Sequence, residues 1–321
     1  METLKRLDNT LLLFLVGVPR SGTTLLQAML GRHPLICTMP ETHFFTMAAS
    51  IDLLSKDRLT IEEQTYFIDT LNSRVPQVYS KDLLSDVYGI MKEGMLTKEF
   101  LRRTFLKVMN SYFSQYSKIF LEKTPGHIYY MFDIINIFPE AVFIHIVRNP
   151  IDVIASIQQS FAKAPCLSAR ARLWNRALTI VKRFRDWFPS RIIEVRYEDL
   201  VTNPESTVRN ICKWLRINYI PAMVREYHKV YDKIALPSEI WKQAVKGGIK
   251  DRRDRWKGYL TSGEGWLCSV LTRRHSKYYG YEIVRTTKLE IVKSCFREIK
   301  SCLIYYSKRL HKHITSRIVK N

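Results

Sequence analysis

Residues 11–24 read LLLFLVGVPRSGTT, an apolar run that empties into a glycine loop and then into paired threonines. The run Leu11–Val16 shows no polar alternation, the pattern of a parallel strand covered on both faces. Gly17 and Gly22 are separated by four residues, the spacing of a phosphate-cradling loop, but Thr23 stands where a nucleoside-triphosphate loop carries lysine. The cation has moved inside the loop, as Arg20. Beyond it, TTLLQAMLGRHP has helical periodicity through Leu25, Leu26, Met29 and Leu30, with Gly31 and Pro34 to close it. Strand, glycine loop and helix in that order aim backbone N–H groups and a helix dipole at an anion, and Ser21, Thr23 and Thr24 add hydroxyl donors. The bland alternative is a tight strand-to-helix turn without a ligand, which leaves Arg20 unexplained.

Outward from this stretch the alternation of strand and helix repeats. KIFLEKTP (118–125) reads as a short strand ending in charged residues, followed by the helical HIYYMFDIINIF. AVFIHIV (141–147) is a second all-apolar strand that ends at Arg148, and Asn149-Pro150 then opens a helix through Ile151, Ile154, Ala155 and Ile157. Ser190-Arg191 opens a strand, IIEVRYEDL, and a helix through Val208, Ile211, Trp214 and Leu215 follows Asn203-Pro204. The pattern predicts an α/β fold with a P-loop-type, doubly wound parallel sheet flanked by helices. Between about Thr46 and Ser117 lies a mainly helical insertion, suited to wall a substrate cleft.

After Arg285 the composition changes. Leu289, Val292, Phe296, Ile299, Leu303, Tyr306 and Leu310 recur at steps of three and four among lysines and arginines, which predicts a long basic amphipathic helix. The expected organisation is one domain over 1–285 and a tail over 286–321. The tail's apolar seam could pack on the body, pair with a second copy in a homodimer, or lie on an anionic membrane; packing on the body or on a partner is the ordinary outcome.

The chain has 321 residues, 46% of them hydrophobic, and a formal net charge of +21. It can bury a large core, and its charge attracts anions such as nucleic acid, lipid or a small phosphorylated ligand. Six cysteines are scattered without C-x-x-C spacing, which reads as a reduced protein without structural zinc. The start, METLKRLDNTLLLFLVGV, imitates a signal peptide, but Pro19 and Arg20 end the apolar run before it could span a bilayer. The expected location is therefore cytoplasmic, with peripheral membrane contact through the tail as the variant.

A second anion grip is suggested at Arg148. A guanidinium at a strand end can hold a phosphate in bidentate fashion, and Ser156, eight residues on, lies about two turns up the next helix. Ligands of open α/β sheets sit at the carboxyl ends of the strands, where both grips fall.

GVPRSGTTLLQAML resembles the 5′-phosphosulfate-binding loop of sulfotransferases, and FIHIVRNPIDVIAS is similar to their 3′-phosphate-binding strand and helix. RYEDLVTNPE and DRRDRWKGYL also resemble stretches of that family. The similarity spans roughly residues 10 to 284, and the PRSGTT form is that of the bacterial and tyrosylprotein types. The resemblance implies transfer of a sulfuryl group from 3′-phosphoadenosine 5′-phosphosulfate (PAPS) to a hydroxyl or amine, leaving 3′-phosphoadenosine 5′-phosphate, without a metal. It implies Arg20 and Lys123 as charge stabilisers, with Ser21, Gly22, Thr23 and Thr24 as loop contacts. Glu41 of PETHFF falls at the place of the family's base, and His43 is the runner-up. Arg148 and Ser156 would hold the 3′-phosphate, and Tyr197 matches a nucleotide contact. Trp256, flanked by Arg255 and Lys257, would close over adenosine. Ser160 departs from the tyrosylprotein pattern, which has arginine there, so Arg252, Arg253 or Lys246 is the expected second cation.

A P-loop kinase is the nearest rival, but it needs lysine before Thr24 and an acidic residue where Arg148 stands. A nonenzymatic RNA- or membrane-binding protein explains the charge, yet it leaves both strand-end grips without a purpose. The expected partners are a small-molecule, carbohydrate or peptide acceptor, and no nucleic acid.

Overall fold

Five segments lie parallel in one sheet, in the order β2 (Ile36–Thr38), β5 (Ile119–Glu122), β1 (Leu11–Val16), β6 (Val142–Val147), β7 (Ile192–Arg196). The computed structural model describes residues 10–79, 85, 87–112, 117–160 and 166–318. The two six-residue runs that dominate the sequence, β1 and β6, are paired neighbours with Leu13 opposite Val142 and Val16 opposite His145. β5 lies on the other side of β1, Leu11 opposite Ile119. All strands being parallel, their carboxyl ends share one edge, as the P-loop-type α/β reading requires. Residues 1–9, which carry the charged start of the signal-like stretch, lie outside the described residues, as do 80–84, 86, 113–116 and 161–165.

The described chain divides into two compact units, one drawn from residues 1–17, 22–147 and 181–250, the other from 18–21, 148–180 and 251–321. In the first, α1 (Thr23–Gly31) packs Leu26, Met29 and Leu30 into a cluster with Leu13, Ile144 and Tyr197. On the sheet's other face Phe14 stacks between Phe105 and Phe143, ring centroids 5.8 and 5.5 Å apart. The insertion is helical over Phe44–Ser50, Ile61–Arg74 and Thr97–Tyr112, and it also carries a short antiparallel pair, β3 (Arg58–Leu59) with β4 (Met95–Leu96). One boundary differs from the sequence reading. The strand IIEVR stops at Arg196, and Tyr197–Thr202 is helical, because Glu198 and Asp199 in the first turn favour the positive end of a helix.

In the second unit, α2 (Pro150–Ser160) begins on the proline, and α3 (Leu167–Trp187) starts within the same unit. Ile151, Ile154, Ala155, Leu167, Ala171, Leu260 and Cys268 form its core with Trp256. α4 (Ser262–Ser276) comes so close to its neighbours that two glycines are obligatory. A Cβ on Gly263 would fall 2.2 Å from the Glu290 carbonyl oxygen, and one on Gly265 would fall 2.5 Å from the Trp256 ring.

The helix expected after Arg285 is α5 (Lys288–Ile318), and it belongs to this second unit. Its packed side is not the apolar seam. Ser294 is buried, and the Glu298 carboxylate accepts hydrogen bonds from the N–H groups of Leu167 and Ser168 at 3.1 and 2.7 Å, capping α3. The seam from Leu289 to Tyr306 is exposed, contrary to packing on the body, because close approach at Gly263 selects the small polar side of the helix. The side chain of Leu310 lies outside the described residues.

Candidate active site

In the first unit, sheet order brings PETHFF and EKTP together. β2 pairs with β5, Ile36 opposite Ile119, so the residues that follow each strand emerge side by side. Lys123, fully buried, donates from Nζ to Glu41 Oε1 at 2.5 Å. A second buried ammonium, Lys242, stands 3.4 Å from the same oxygen while donating to Glu239 at 2.7 Å and to the Ile234 carbonyl at 3.0 Å. His43 Nε2 lies 3.6 Å from Glu41 Oε2. Burial alone would raise the Glu41 carboxyl, but Lys123, Lys242 and His43 outweigh it and hold its pKa at about 2. Burial pushes the His43 imidazole down, further than Glu41 pulls it up, so the ring is neutral at pH 7. Burial also lowers Lys123, with Lys242 acting in the same direction against Glu41.

Beneath this cluster Glu122 forms a rigid floor. Its carboxylate accepts from the Thr42 and Thr124 hydroxyls at 2.8 and 2.6 Å and sits 2.8 Å from His127 Nδ1. His43 itself has φ 53°, a conformation costly for a residue with a Cβ, and its N–H donates to Thr124 Oγ1 at 3.1 Å. The ordered floor holds that strain and aims His43 beside Glu41.

The ends of the glycine loop are fixed in the same unit. A Cβ on Gly17 would lie 2.7 Å from the Ile146 carbonyl oxygen. Gly22 has φ 95°, and a Cβ there would lie 2.5 Å from the Tyr197 ring. Tyr197 is therefore a buried wall against the loop, with its hydroxyl donating to the Lys250 carbonyl at 3.4 Å. Thr23 and Thr24 open α1, the first buried and the second half-buried.

The second unit contains the loop segment 18–21 and the arginines. Arg20 has φ 78°, and its Nε donates to Ser156 Oγ at 3.0 Å. Arg148 donates to the Arg20 carbonyl at 3.0 Å and to the Arg252 carbonyl at 2.5 Å. Burial lowers the Arg20 guanidinium, and the nearby charges of Arg252 and Arg148 push the same way. Asp152 lies 3.8 Å from Arg148, and it also accepts from the N–H groups of Asp254 and Trp256 at 3.1 and 3.0 Å. Ser21 Oγ is buried with no hydrogen-bond partner among the described residues. Three mutually repelling guanidiniums make a cluster that an anion would relieve.

The structure thus brings together Arg20, Arg148 and Ser156, and it adds Arg252 from the three cations offered by sequence. Arg253 is paired with Asp251 at 2.6 Å, and Lys246 lies in the first unit, 4.1 Å from the Tyr231 ring centroid. The Trp256 ring is packed in the second unit's core. Arg255 is exposed and donates to the Tyr259 hydroxyl at 2.9 Å, and exposed Lys257 reaches Asp254 at 3.3 Å. The side chain of Ser160 lies outside the described residues. Sequence reasoning missed Lys242, whose short 3₁₀ stretch carries no motif, and Asp152, which the sequence shows inside RNPIDV.

The profile of the Sulfotransferase family matches residues 13–221. A protein-tyrosine sulfotransferase of Drosophila melanogaster is 26% identical over 263 residues, covering 78% of this chain and 47% of that protein. An uncharacterised protein of Aquifex aeolicus (strain VF5) is 25% identical over 267 residues, covering 81% of this chain and 31% of the other. The chain spans about a third to a half of the length of these curated relatives. Among solved structures, the sulfotransferase domain from the curacin biosynthetic pathway superposes with TM-score 0.60 at 19% identity, over 85% of this chain and 98% of that domain.

Proposed function

Because the chain is a member of the sulfotransferase family, we propose that it moves a sulfuryl group from PAPS to an acceptor hydroxyl or amine, without a metal. The observation that carries this reading is the gathering of Arg20, Arg148, Arg252 and Ser156, with the buried Ser21 hydroxyl beside Arg20 in the chain left without a hydrogen-bond partner among the described residues. A triphosphate loop relies on lysine and Mg²⁺; a guanidinium-rich loop suits a donor whose negative groups are carried by two separate phosphates.

The donor supplies an activated sulfuryl group on a phosphate leaving group. Arg148, Ser156 and Arg252 hold its 3′-phosphate, while Arg20, Ser21, Gly22, Thr23 and Thr24 hold the 5′ side. Tyr197 keeps the loop in shape, and Arg255, Trp256 and Lys257 form the segment assigned to the adenosine. Lys123 stabilises the charge that develops as the sulfuryl group departs.

Glu41 takes the acceptor proton. Held at about 2 by its cations, it is a feeble base; once Lys123 turns toward sulfonate oxygens, the carboxylate keeps its burial and loses its closest counter-charge, so its basicity rises. His43, neutral and adjacent, is the alternative base. The acceptor is a hydroxyl of a peptide, carbohydrate or small molecule. The location is cytoplasmic, with 1–285 as the catalytic body and 286–321 as an appendage; no described helix is long and apolar enough to cross a membrane.

Titration with 3′-phosphoadenosine 5′-phosphate tests the reading. Tight binding in the presence of a metal chelator, weakened about a hundredfold or more by Arg148→Ala, is expected for the loss of a charge-assisted bidentate grip. Preference for ATP with Mg²⁺ would replace it with a kinase.

A further inference from the structure

α5 is held by one side and shows another. Ser294 sits under Gly263, Glu298 caps α3, and Cys302 Sγ reaches Ser168 at 3.2 Å, so residues four apart fasten the helix along one line. Nearly half a turn away, Leu289, Phe296 and Leu303 are 62%, 70% and 68% exposed, with Val292 and Ile299 above half. A helix so firmly seated cannot roll to bury that stripe.

The charges beside the stripe select its occupant. Lys288, Lys293, Arg297 and Lys300 are exposed, and from Ile299 to Asn321 the sequence contains no Asp or Glu. With Leu289 as a heptad a position, Lys293 and Lys300 fall at e and Lys288 at g. A second copy docked seam to seam would set lysine against lysine, and the two acids of the helix are already engaged within the chain, Glu290 with Lys293 at 3.5 Å and Glu298 with the N–H groups of Leu167 and Ser168. Anionic lipid supplies the missing charge, and its acyl boundary accepts Phe296 and Leu303.

We propose that α5 docks on an anionic bilayer surface, its apolar stripe in the acyl boundary and its lysines at the headgroup phosphates. The proposal does not depend on the sulfuryl-transfer reading, since no residue of the stripe belongs to the candidate active site.

Flotation of the full chain with vesicles of pure phosphatidylcholine, and with vesicles containing about a third phosphatidylglycerol, tests it. Binding to the anionic vesicles alone is expected, weakened at high salt. Phe296→Ser with Leu303→Ser should abolish it, and Lys293→Ala or Lys300→Ala should each weaken partitioning about fivefold. These side chains are exposed, so folding is preserved, which circular dichroism confirms. Equal binding to neutral vesicles, or anionic binding that survives the Phe296 and Leu303 changes, overturns the proposal. So does a dimer in light scattering that the same changes dissolve.

Discussion

Removing the Lys123 ammonium should raise the Glu41 pKa toward its ordinary value, with an effect on stability that depends on pH. The fall of the Glu41 pKa from its ordinary 4.5 to about 2 corresponds to about 3 kcal/mol of preferential binding of the charged form. That amount is what remains after the neighbouring cations have offset the cost of burial, so their combined effect is larger. Lys123 is the largest contributor and the one in direct hydrogen bond, so about 2 kcal/mol should fall to it. The folded-state pKa lies below the unfolded one, so this stabilisation is complete above pH 4.5 and fades as pH drops toward 2. In Lys123→Met the folded carboxyl titrates higher, nearer its ordinary value because Lys242 still offsets burial, so less stability is gained as pH rises from 2 to 4.5. A double-mutant cycle with Glu41→Gln and Lys123→Met, followed by urea denaturation at several pH values, reads the coupling directly. It should be about 2 kcal/mol at pH 7 and should shrink steadily below pH 4. A coupling under about 0.5 kcal/mol at pH 7, or one that does not change with pH, would refute the electrostatic account of Glu41.

Gly22→Ala should destabilise the fold by about 1–3 kcal/mol, since the added Cβ meets both a left-handed backbone and the Tyr197 ring; an unchanged melting temperature would show that the loop relaxes freely. Asp152→Ala strands the N–H groups of Asp254 and Trp256, and should cost about 2–4 kcal/mol in denaturant melts. A loss below 1 kcal/mol would mean that water replaces the carboxylate. Cys268, pushed up to about 12 by burial, and Cys212, pushed up to about 11, should resist iodoacetamide at pH 7.5, as mass spectrometry of the labelled protein would show. Prompt labelling of either thiol in the folded chain would contradict its environment.

The parallel sheet is legible because β1 and β6 are each six residues long, apolar apart from His145, and end abruptly in a glycine or an arginine. β2 has three residues, too few for a period to show, and its place beside β5 is set by the non-local pairing of Ile36 with Ile119. The arginine cluster could be suspected from motif spacing, but the part played by Arg252 depends on its carbonyl lying within reach of Arg148, far along the chain. Lys242 carries no local signature at all; its burial against Glu41 is a tertiary fact. For Trp256 the residue type suggested a ring for adenine, and only the folded chain shows that Gly265 also packs closely against that ring. The tail shows how a correct period can mislead about partners, since the seam recurs as expected and a different side of the helix does the holding.

The carboxylate that caps α3 comes from a stretch that looks expendable in sequence. A shortened protein ending at Arg285 would strip Leu167 and Ser168 of the acceptor for their N–H groups, at a cost near 1 kcal/mol for the helix start alone. It would also uncover the surface of α4 at Gly263. The final helix is thus a keel as well as an outward blade: cutting it away disturbs the hull, while single changes on the blade leave the hull whole.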